Sequence, residues 1–358
     1  MKNSRLRVDA LTTGRNDPSA RFRVRQHIEP LYELGIDVHE HIPFINKNAG
    51  IPTQIHQYTS LLSQSIEKLG WQSLKLACHA PGLAKSLRSD LLWLNRELLT
   101  GCYSLERFLI KPIVLDVDDA VWQAKPNGFN TMRRIGSEAV VIMAGNKYLA
   151  DWFSQWNSNI QIVPTAIDTD RFAPATIDNT SLKSRAYTVG WTGLSSNFSY
   201  LYAIEKPINA FLQKYDAKLL IISDKEPDFK LIERNIIDFR YWSPEIESSS
   251  LREMNVGLMP LPDNEWARGK CSFKMLQYMS TAIPVVVSPI GMNIEVLNHG
   301  LIGYAAESHD DWFDALTMLY QNQQLASEMG ETGRRIIIEN YSRRVVSEKI
   351  ANIFLSIT

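Results

Sequence analysis

The chain has 358 residues, too many for one ordinary hydrophobic core and enough for two domains of roughly 150–200 residues each. A formal net charge of −1 leaves no basic surplus, so we expect no nucleic-acid partner. Three scattered cysteines without a CxxC pair argue against a disulfide framework or a zinc site and fit a reducing compartment. No stretch reads as a signal peptide or a membrane span. We therefore expect a cytoplasmic protein, with peripheral contact at the inner membrane surface left open.

Short apolar runs alternate with amphipathic stretches through the first half, a pattern typical of parallel α/β units. A helix is predicted over 18–34, where Val24, Ile28 and Leu31 recur at helical spacing. Asp17 is placed to cap this helix and Gly35 to end it. Strands are predicted at 7–12, 36–42, 91–94, 113–117, 140–143 and 160–163.

The second half repeats this alternation after a segment rich in Pro, Thr and Asp. Helices are predicted around 200–214, 248–255, 272–281, 293–298, 312–320 and 324–357, the last with a break near 341–342. Strands are predicted at 188–191, 219–223, 238–241, 256–260, 284–288 and 303–305. We therefore predict an α/β protein with a first Rossmann-like domain over 1–165, a linker over 166–180, a second Rossmann-like domain over 181–340 and a closing helix over 341–358.

Arginines lie just inside the first predicted helix, where the helix dipole disfavours cations unless an anion also binds there. Arg21 and Arg25 flank the buried stripe, and Gly14 lies in the loop before the helix. We interpret Gly14, Arg21 and Arg25 as a candidate phosphate clamp. The alternative is a solvated basic face, which is the interpretation we favour for Arg23, because Arg23 projects nearly opposite.

A second cationic helix start follows the strand at 256–260. Lys270 precedes the helix predicted at 272–281, Lys274 lies in its first turns, and Gln277 and Thr281 continue the same face. In open parallel sheets, ligands bind at the carboxyl ends of strands. We expect Lys270 to meet a diphosphate and Gln277 to hydrogen-bond a ribose hydroxyl. The alternative is an exposed lysine-rich helix edge.

The same region resembles a known family. The stretches WARGKCSFKMLQYM (266–279) and AIPVVVSPIGMNIE (282–295) resemble the donor-binding core of the family 4 (group 1) glycosyltransferases. SARFRVRQ (19–26) resembles the first helix of a bacterial branch of that family, and VPTAIDTDRF (163–172) resembles its interdomain segment. Gly333-Arg334 and Tyr341-Ser342 are similar to its closing helices. The resemblance covers nearly the whole chain.

This resemblance implies the GT-B fold, in which two Rossmann-like domains face each other across a cleft and the C-terminal helix crosses back to the first domain. The first domain would hold the acceptor, a glycan or lipid-linked saccharide, and the second a nucleotide-diphosphate-sugar. It further implies transfer with retention of configuration, no metal, no cofactor beyond that co-substrate, and a role in bacterial polysaccharide biosynthesis. The donor-binding candidates become Gly14, Arg21, Arg25, Gly193, Gly269, Lys270, Lys274, Gln277, Gly291, Met292, Asn293 and Glu295. Gly291 would act through backbone N–H groups, and Glu295 would bind donor hydroxyls or cap its helix.

Two departures from the family pattern stand out. Many members carry a pair of glutamates on the donor helix, and those positions here are Gly269 and Gln277. An Arg and a Lys often follow the first strand of the second domain, but residues 190–197 contain neither. We predict that Lys270 and Lys274 take over the diphosphate and stabilise the charge that develops on it as it leaves.

An acidic cluster, Asp116, Asp118 and Asp119, follows the strand predicted at 113–117 and leaves three interpretations open. An Asp-x-Asp pair would suit Mg²⁺ or Mn²⁺ bound to a diphosphate. By resemblance, Asp118 or Asp119 would instead face the reacting sugar, and both are catalytic candidates together with Lys270. The third interpretation is a helix cap with a salt bridge.

Two other functions compete with sugar transfer. A sugar-nucleotide epimerase can share the two-domain fold and would turn over its nucleotide-sugar without an acceptor. A non-catalytic sugar-nucleotide-binding subunit is compatible with the missing glutamate pair and would bind nucleotide without transfer.

Overall fold

Two parallel sheets of six strands each organise the residues that the computed structural model describes, namely 5–15, 17–52, 61–110, 112–174 and 186–357. The chain divides into two units. The first contains Met1–Ala166 and Arg343–Thr358, and the second contains Ile167–Ser342.

The sheet of the first unit has the strand order β2-β1-β3-β4-β5-β6, with every neighbouring pair parallel. Its central strands β3, β4 and β5 are buried along their whole length, as expected of a parallel sheet covered by helices on both faces. The strands are β1 Leu6–Leu11, β2 Ile36–His41, β3 Leu91–Asn95, β4 Ile113–Val117, β5 Val141–Ala144 and β6 Ile160–Ile162.

The helix predicted over 18–34 forms, but with three different windings. A π-turn covers Ala20–Val24, a 3₁₀ turn covers Arg25–His27, and an α-helix covers Ile28–Glu33. The carboxylate of Asp17 accepts the Ser19 N–H at 2.9 Å, as a start signal should. The other α-helices of the first unit are Leu61–Ser86, Gly128–Glu138, Lys147–Phe153 and the C-terminal helix Arg343–Ile357.

The C-terminal helix (Arg343–Ile357) packs into the core of the first unit, which confirms the predicted crossing back. The Phe354 ring meets the Trp93 ring edge-on at 5.2 Å between centroids. Val346 and Ile350 belong to the same buried cluster. Because these contacts join the last helix to a central strand, the first unit is completed only by the end of the chain.

The sheet of the second unit has the order β12-β11-β10-β7-β8-β9, again parallel throughout. The strands are β7 Thr188–Thr192, β8 Lys218–Ser223, β9 Ile237–Tyr241, β10 Val256–Met259, β11 Val285–Val287 and β12 Gly303–Ala305. The α-helices are Phe198–Tyr202, Glu205–Tyr215, Pro244–Leu251, Glu265–Arg268, Phe273–Ser280, Met292–Leu297, His309–Gln321 and Gln323–Ile336.

Each predicted strand coincides with an observed strand to within one residue at either end. The predicted fold class is confirmed, because both sheets are parallel, flanked by helices and wound in the Rossmann-like manner. The predicted break near 341–342 is also present, where a π-turn at Ile337–Tyr341 precedes the C-terminal helix. Of the predicted linker, residues 175–180 lie outside the described residues.

Candidate functional site

The helix Phe273–Ser280, called the lysine helix below, begins at the carboxyl edge of the second sheet. It follows β10 and the short helix Glu265–Arg268. Met275 and Leu276 are fully buried and anchor it on the sheet. Ser272, at its N-cap, has a left-handed backbone and donates its hydroxyl to Asn293 Oδ1 at 2.7 Å. The start of the lysine helix is therefore fixed at the edge where open parallel sheets bind ligands.

Lys274 in the first turn of the lysine helix reaches the carboxyl end of β7. Its Nζ lies 5.6 Å from the centroid of the Trp191 ring. A Cβ added at Gly193 would lie 2.5 Å from Lys274 Cε, so the lysine passes directly over this glycine. The structure thus brings together two of the predicted donor-binding residues, Lys274 and Gly193.

Gly269, Lys270 and Gly291 form a second corner beside the same helix start. Lys270 Nζ lies 5.4 Å from the centroid of the Trp266 ring. Gly291 has φ +56°, and a Cβ there would lie 2.6 Å from the carbonyl oxygen of Arg268. Only glycine allows this close approach. The loop after β11 is thereby held against the loop that carries Lys270.

Two predicted donor-binding side chains are engaged inside the second unit. Asn293 is fully buried, and its amide donates to the Ser288 carbonyl at 2.9 Å as well as accepting from Ser272. Gln277 is 2% exposed and donates to Glu247 Oε1 at 3.1 Å. The alternative interpretation, an exposed edge of the lysine helix, therefore does not hold at Gln277 or at Thr281, which is also buried. Their predicted contacts with the donor stay predictions.

Met292 and Glu295 lie on the next helix, Met292–Leu297. Met292 is 3% exposed and packs inward, whereas Glu295 is half-buried. Burial, together with the negative charge of Glu295, raises the pKa of Tyr341 to about 12. The predicted contact of Glu295 with donor hydroxyls stays a prediction.

At the carboxyl edge of the first sheet, Asp118 and Asp119 share one arginine. Arg96 Nε lies 2.5 Å from Asp118 Oδ1, and the Arg96 NH2 group lies 2.7 Å from Asp119 Oδ2. Ser19 also donates its hydroxyl to Asp118 Oδ1 at 2.9 Å. Burial disfavours a charged Asp118, but the Arg96 guanidinium outweighs it and lowers the Asp118 pKa. The salt-bridge interpretation of the cluster is thus the one whose contacts are present.

Asp116 is held by other partners than this pair. It accepts from the Arg23 NH2 group at 2.6 Å and from Trp93 Nε1 at 3.2 Å. Asp116 and Asp118 are therefore each engaged by a different arginine, Arg23 and Arg96. Over the described ranges, no group of three or more His, Cys, Asp or Glu side chains could hold a metal ion.

The interpretation of Arg23 from the sequence was wrong. It was expected on a solvated face, yet it is 3% exposed and ion-paired with Asp116. The π-turn at Ala20–Val24 adds a residue to the winding, which shifts Arg23 inward relative to a regular helix. The missed signal was Asp116 itself, because a carboxylate within a buried strand requires a partner.

The predicted phosphate clamp is only partly available. Arg25 pairs with Glu40 at 2.7 Å and donates to the Arg15 carbonyl at 2.8 Å, so its charge is compensated within the first unit. The Arg21 guanidinium lies 4.6 Å from the centroid of the Phe22 ring. A Cβ at Gly14 would lie 2.5 Å from Asn46 Nδ2. The clamp stays a prediction, and these contacts remove most of its support at Arg25.

The sequence analysis did not identify a further buried group of charged and titratable side chains in the first unit. Lys47 Nζ lies 3.2 Å from Glu97 Oε1, with both side chains 2% exposed. Lys75 donates to the Lys47 carbonyl at 2.6 Å. Burial and the nearby Lys47 lower the pKa of His79 to about 4. These residues lie on different segments of the first unit, so no local sequence pattern predicts that they are in contact.

No helix in the described part of the chain is both long and apolar enough to cross a membrane.

The two-unit architecture places the chain among proteins of the GT-B fold. A sucrose-phosphate synthase from Thermosynechococcus elongatus has a TM-score of 0.70 at 13% identity, over 99% of each chain. Anabaena HepE in complex with UDP-glucose has a TM-score of 0.70 at 12% identity, over 98% of this chain and 100% of that one. An E. coli trehalose-6-phosphate protein bound with UDP-2-fluoro glucose has a TM-score of 0.67 at 12% identity, over 97% and 98%.

Part of the sequence also matches a known family. Residues 188–322 match the family described as Glycosyl transferases group 1. The N-acetyl-alpha-D-glucosaminyl L-malate synthase of Bacillus anthracis is 26% identical over 165 residues, which is 43% of this chain and 42% of that relative. The match thus spans less than half of the relative's length. Over residues 188–322, which lie in its second unit, the chain is thus similar to the group 1 glycosyltransferases.

Proposed function

We propose that the chain transfers a sugar, with retention of configuration, from a nucleotide-diphosphate-sugar to a glycan or lipid-linked saccharide during assembly of a cell-surface polysaccharide. The fold is shared with HepE in complex with UDP-glucose and with the E. coli protein bound with UDP-2-fluoro glucose. The family match covers the unit that carries the lysine helix. Both support a nucleotide-sugar donor held by the second unit.

The observation that carries the proposal is the position of the Lys274 side chain. Its ammonium group is held over Trp191 and Gly193, at the end of β7 and in the first turn of the lysine helix. Helix N-termini and cations favour the same anionic groups. A diphosphate bound here would meet a preorganised positive field that strengthens as negative charge builds on the leaving group. Lys270 would add a second cation at the corner formed with Gly291.

The same arrangement fits transfer without a strong general base. The leaving diphosphate oxygen would accept the proton of the acceptor hydroxyl, so the second unit needs charge stabilisation more than a histidine–carboxylate pair. Asp118 and Asp119 would offer hydrogen-bond acceptors to sugar hydroxyls while held by Arg96. A lipid-linked acceptor would bring the protein to the inner membrane surface.

A thermal-shift panel of UDP-, GDP-, ADP- and dTDP-sugars tests the donor site. Binding stabilises the folded state by mass action, so the true donor raises the Tm of the wild type and raises it less in Lys270→Ala. Lys214→Ala is a matched control, because Lys214 also lies over aromatic rings, Tyr215 and Phe313, on another helix of the second unit. A donor that stabilises the wild type and Lys270→Ala equally would refute the assignment.

A non-catalytic nucleotide-sugar-binding subunit is the second candidate. The observation in its favour is that Gln277, at one of the family's two glutamate positions, is tied to Glu247. Mixing the identified donor with purified glycan and lipid-linked acceptors separates the two functions. Binding without transfer or hydrolysis would establish the binding subunit, whereas loss of the donor sugar without any acceptor would indicate an epimerase or a hydrolase.

A further inference from the structure

The first unit carries a pocket of about 390 Å³. Its lining residues do not include Asp116, Asp118, Asp119 or Arg96, at the carboxyl edge of the sheet. It lies along the helix Gly128–Glu138, called the pocket helix below, which connects β4 to β5. Its volume falls in the range of small-molecule sites. Its wall combines two aromatic rings with amides, a hydroxyl and a guanidinium, supplied by Tyr103, Trp156, Asn127, Asn130, Thr131 and Arg133.

The charge of one of the two arginines in the pocket wall is compensated. Arg134, also in the wall, donates from Nε to Glu138 Oε1 at 3.1 Å, and its guanidinium lies 4.0 Å from the centroid of the Tyr103 ring. The Tyr103 hydroxyl in turn donates to Glu138 Oε2 at 2.7 Å. Arg134, Glu138 and Tyr103 together form a group without net charge at this wall. Such a wall suits a ligand with hydroxyl groups better than a multiply charged anion.

Trp156, also in the pocket wall, belongs to an aromatic array. Trp122 and Trp152 are stacked with their centroids 4.2 Å apart and only 5° between their planes. Trp152 then meets Trp156 at 4.5 Å, and Phe129, half of whose side chain is exposed, meets Trp156 at 5.7 Å. The array locks Trp156 in place, so its ring is preorganised for packing against a ligand. The C–H face of a pyranose ring is an apolar surface of matching shape.

One polar group in the wall has no hydrogen-bond partner among the residues that the structure describes. Thr131 is 1% exposed, and its hydroxyl makes no hydrogen bond with any described residue. Buried hydroxyl groups are normally satisfied, so this one indicates a missing donor or acceptor. Asn130 donates to Asn127 Oδ1 at 2.8 Å, which fixes both amides beside it. Fixed amides next to an aromatic face present paired donors and acceptors to the hydroxyl groups of a sugar.

We propose that this pocket binds an oligosaccharide, with Trp156 as the stacking surface and Asn127, Asn130 and Arg133 as hydrogen-bonding groups. The site lies on the first unit and is separate from the lysine helix. Its use, to hold a glycan chain while the chain end is extended, rests on the proposed function. The binding itself does not, because it requires neither donor nor catalysis.

Isothermal titration of the full-length protein with maltohexaose, cellohexaose and chitohexaose, without nucleotide, tests the proposal. We expect at least one hexasaccharide to bind the wild type and to bind Trp156→Leu about tenfold more weakly, because leucine keeps an apolar side chain but loses the flat ring. Trp156→Phe keeps a ring and should retain most of the affinity. Trp242→Ala, which removes a partly exposed tryptophan from the second unit, should change nothing.

Thermal melting of each variant checks that it folds. Absence of binding by all three hexasaccharides to the folded wild type would overturn the proposal. Equal affinity of the wild type and Trp156→Leu would overturn it as well. Inorganic phosphate forms a further arm, since phosphate binding that Arg133→Gln abolishes, with no saccharide binding, would identify an anion site instead. Because no donor is present, none of these outcomes decides whether the protein transfers sugar.

Discussion

The carboxyl edges of both sheets carry cations, but the contacts of these cations differ. At the edge of the first sheet the cations are tied to carboxylates of the same unit, as in Arg23–Asp116, Lys47–Glu97 and Arg96–Asp118. At the edge of the second sheet, Lys270 and Lys274 rest on tryptophan rings beside a helix start. Both edges look cationic in the sequence. The difference teaches that a cation near a helix start is not by itself evidence of an anionic ligand, because distant parts of the chain can supply its counter-charge, as they do for Arg23 and Arg96.

Because of this difference, we expect the cations of the first edge to affect protein stability and those of the second edge to affect ligand binding. A buried ion pair contributes little net stability, but breaking it leaves a buried charge and costs about 3–5 kcal/mol. A lysine held over an aromatic face costs little to keep, and its ammonium group can act as a charge-assisted donor to a phosphate. We therefore expect changes at the first edge to affect unfolding, and changes at the second edge to affect nucleotide affinity.

The largest expected effect is that of Arg23→Met. This variant strands Asp116 in the core and should lower the free energy of unfolding by about 3–5 kcal/mol, measured by urea denaturation. Arg344→Met is the control, because Arg344 pairs with Glu348 on an exposed helix face, where such pairs contribute roughly 0.3–0.5 kcal/mol. A cost below about 1 kcal/mol for Arg23→Met would show that the first edge does not depend on its ion pairs.

The next effect is a pH dependence. Burial, with the charges of Arg23 and Arg343 beside it, lowers the pKa of His27 to about 3. The unfolded chain takes up a proton near the ordinary histidine pKa, while the folded chain stays neutral. The contribution of His27 is therefore complete above about pH 6.5 and is lost as the pH falls toward 3. Its share of the slope is about 1.4 kcal/mol per pH unit.

His27→Asn removes this titration while offering an amide to Ser347, the partner of His27 at 2.7 Å. The stability of the variant should fall less steeply than that of the wild type between about pH 5.5 and 4.5, by about 1.4 kcal/mol per pH unit. The exposed His39 supplies the control, His39→Asn. Parallel curves for His27→Asn and the wild type would contradict a neutral buried His27.

The sequence predicts those features of the fold and the site that depend on residues close together in the chain, and not those that depend on residues far apart. Strands such as β4 and β11 are short apolar runs rich in β-branched residues, so local pattern predicts them to within a residue. The lysine helix was found in the same way, from a cationic start after an apolar strand. Arg23 could not be placed, because its burial depends on a π-turn and on Asp116, 93 residues away.

The same limit applies to side chains within the site. Gln277 meets Glu247, and Lys47 meets Glu97, only because of the order in which the strands assemble. That order is a property of the whole sheet, and single-sequence periodicity carries no information on it. Lys274 over Gly193 belongs to the same class of contact: the sequence indicated both residues as candidates, but not that they touch.

The smallest expected effect sharpens the role of Lys274. In Gly193→Ala, the added methyl group takes the space now used by Lys274 Cε, so the lysine must move. We expect diphosphate affinity to fall by less than about tenfold, a cost near 1 kcal/mol. Gly300→Ala is the control, because a Cβ there meets no atom closer than 3.3 Å. Unchanged affinity in Gly193→Ala would mean that the exact position of Lys274 does not matter.

The most direct test compares a nucleoside diphosphate with its own nucleoside, using the base that stabilises the wild type most. Titration calorimetry of the wild type should show much tighter binding of the diphosphate. In Lys274→Ala the diphosphate should bind roughly 10- to 100-fold more weakly while the nucleoside binds as before, and Lys214→Ala should match the wild type for both ligands. Diphosphate affinity that is the same in Lys274→Ala as in the wild type would contradict a pyrophosphate site at the start of the lysine helix.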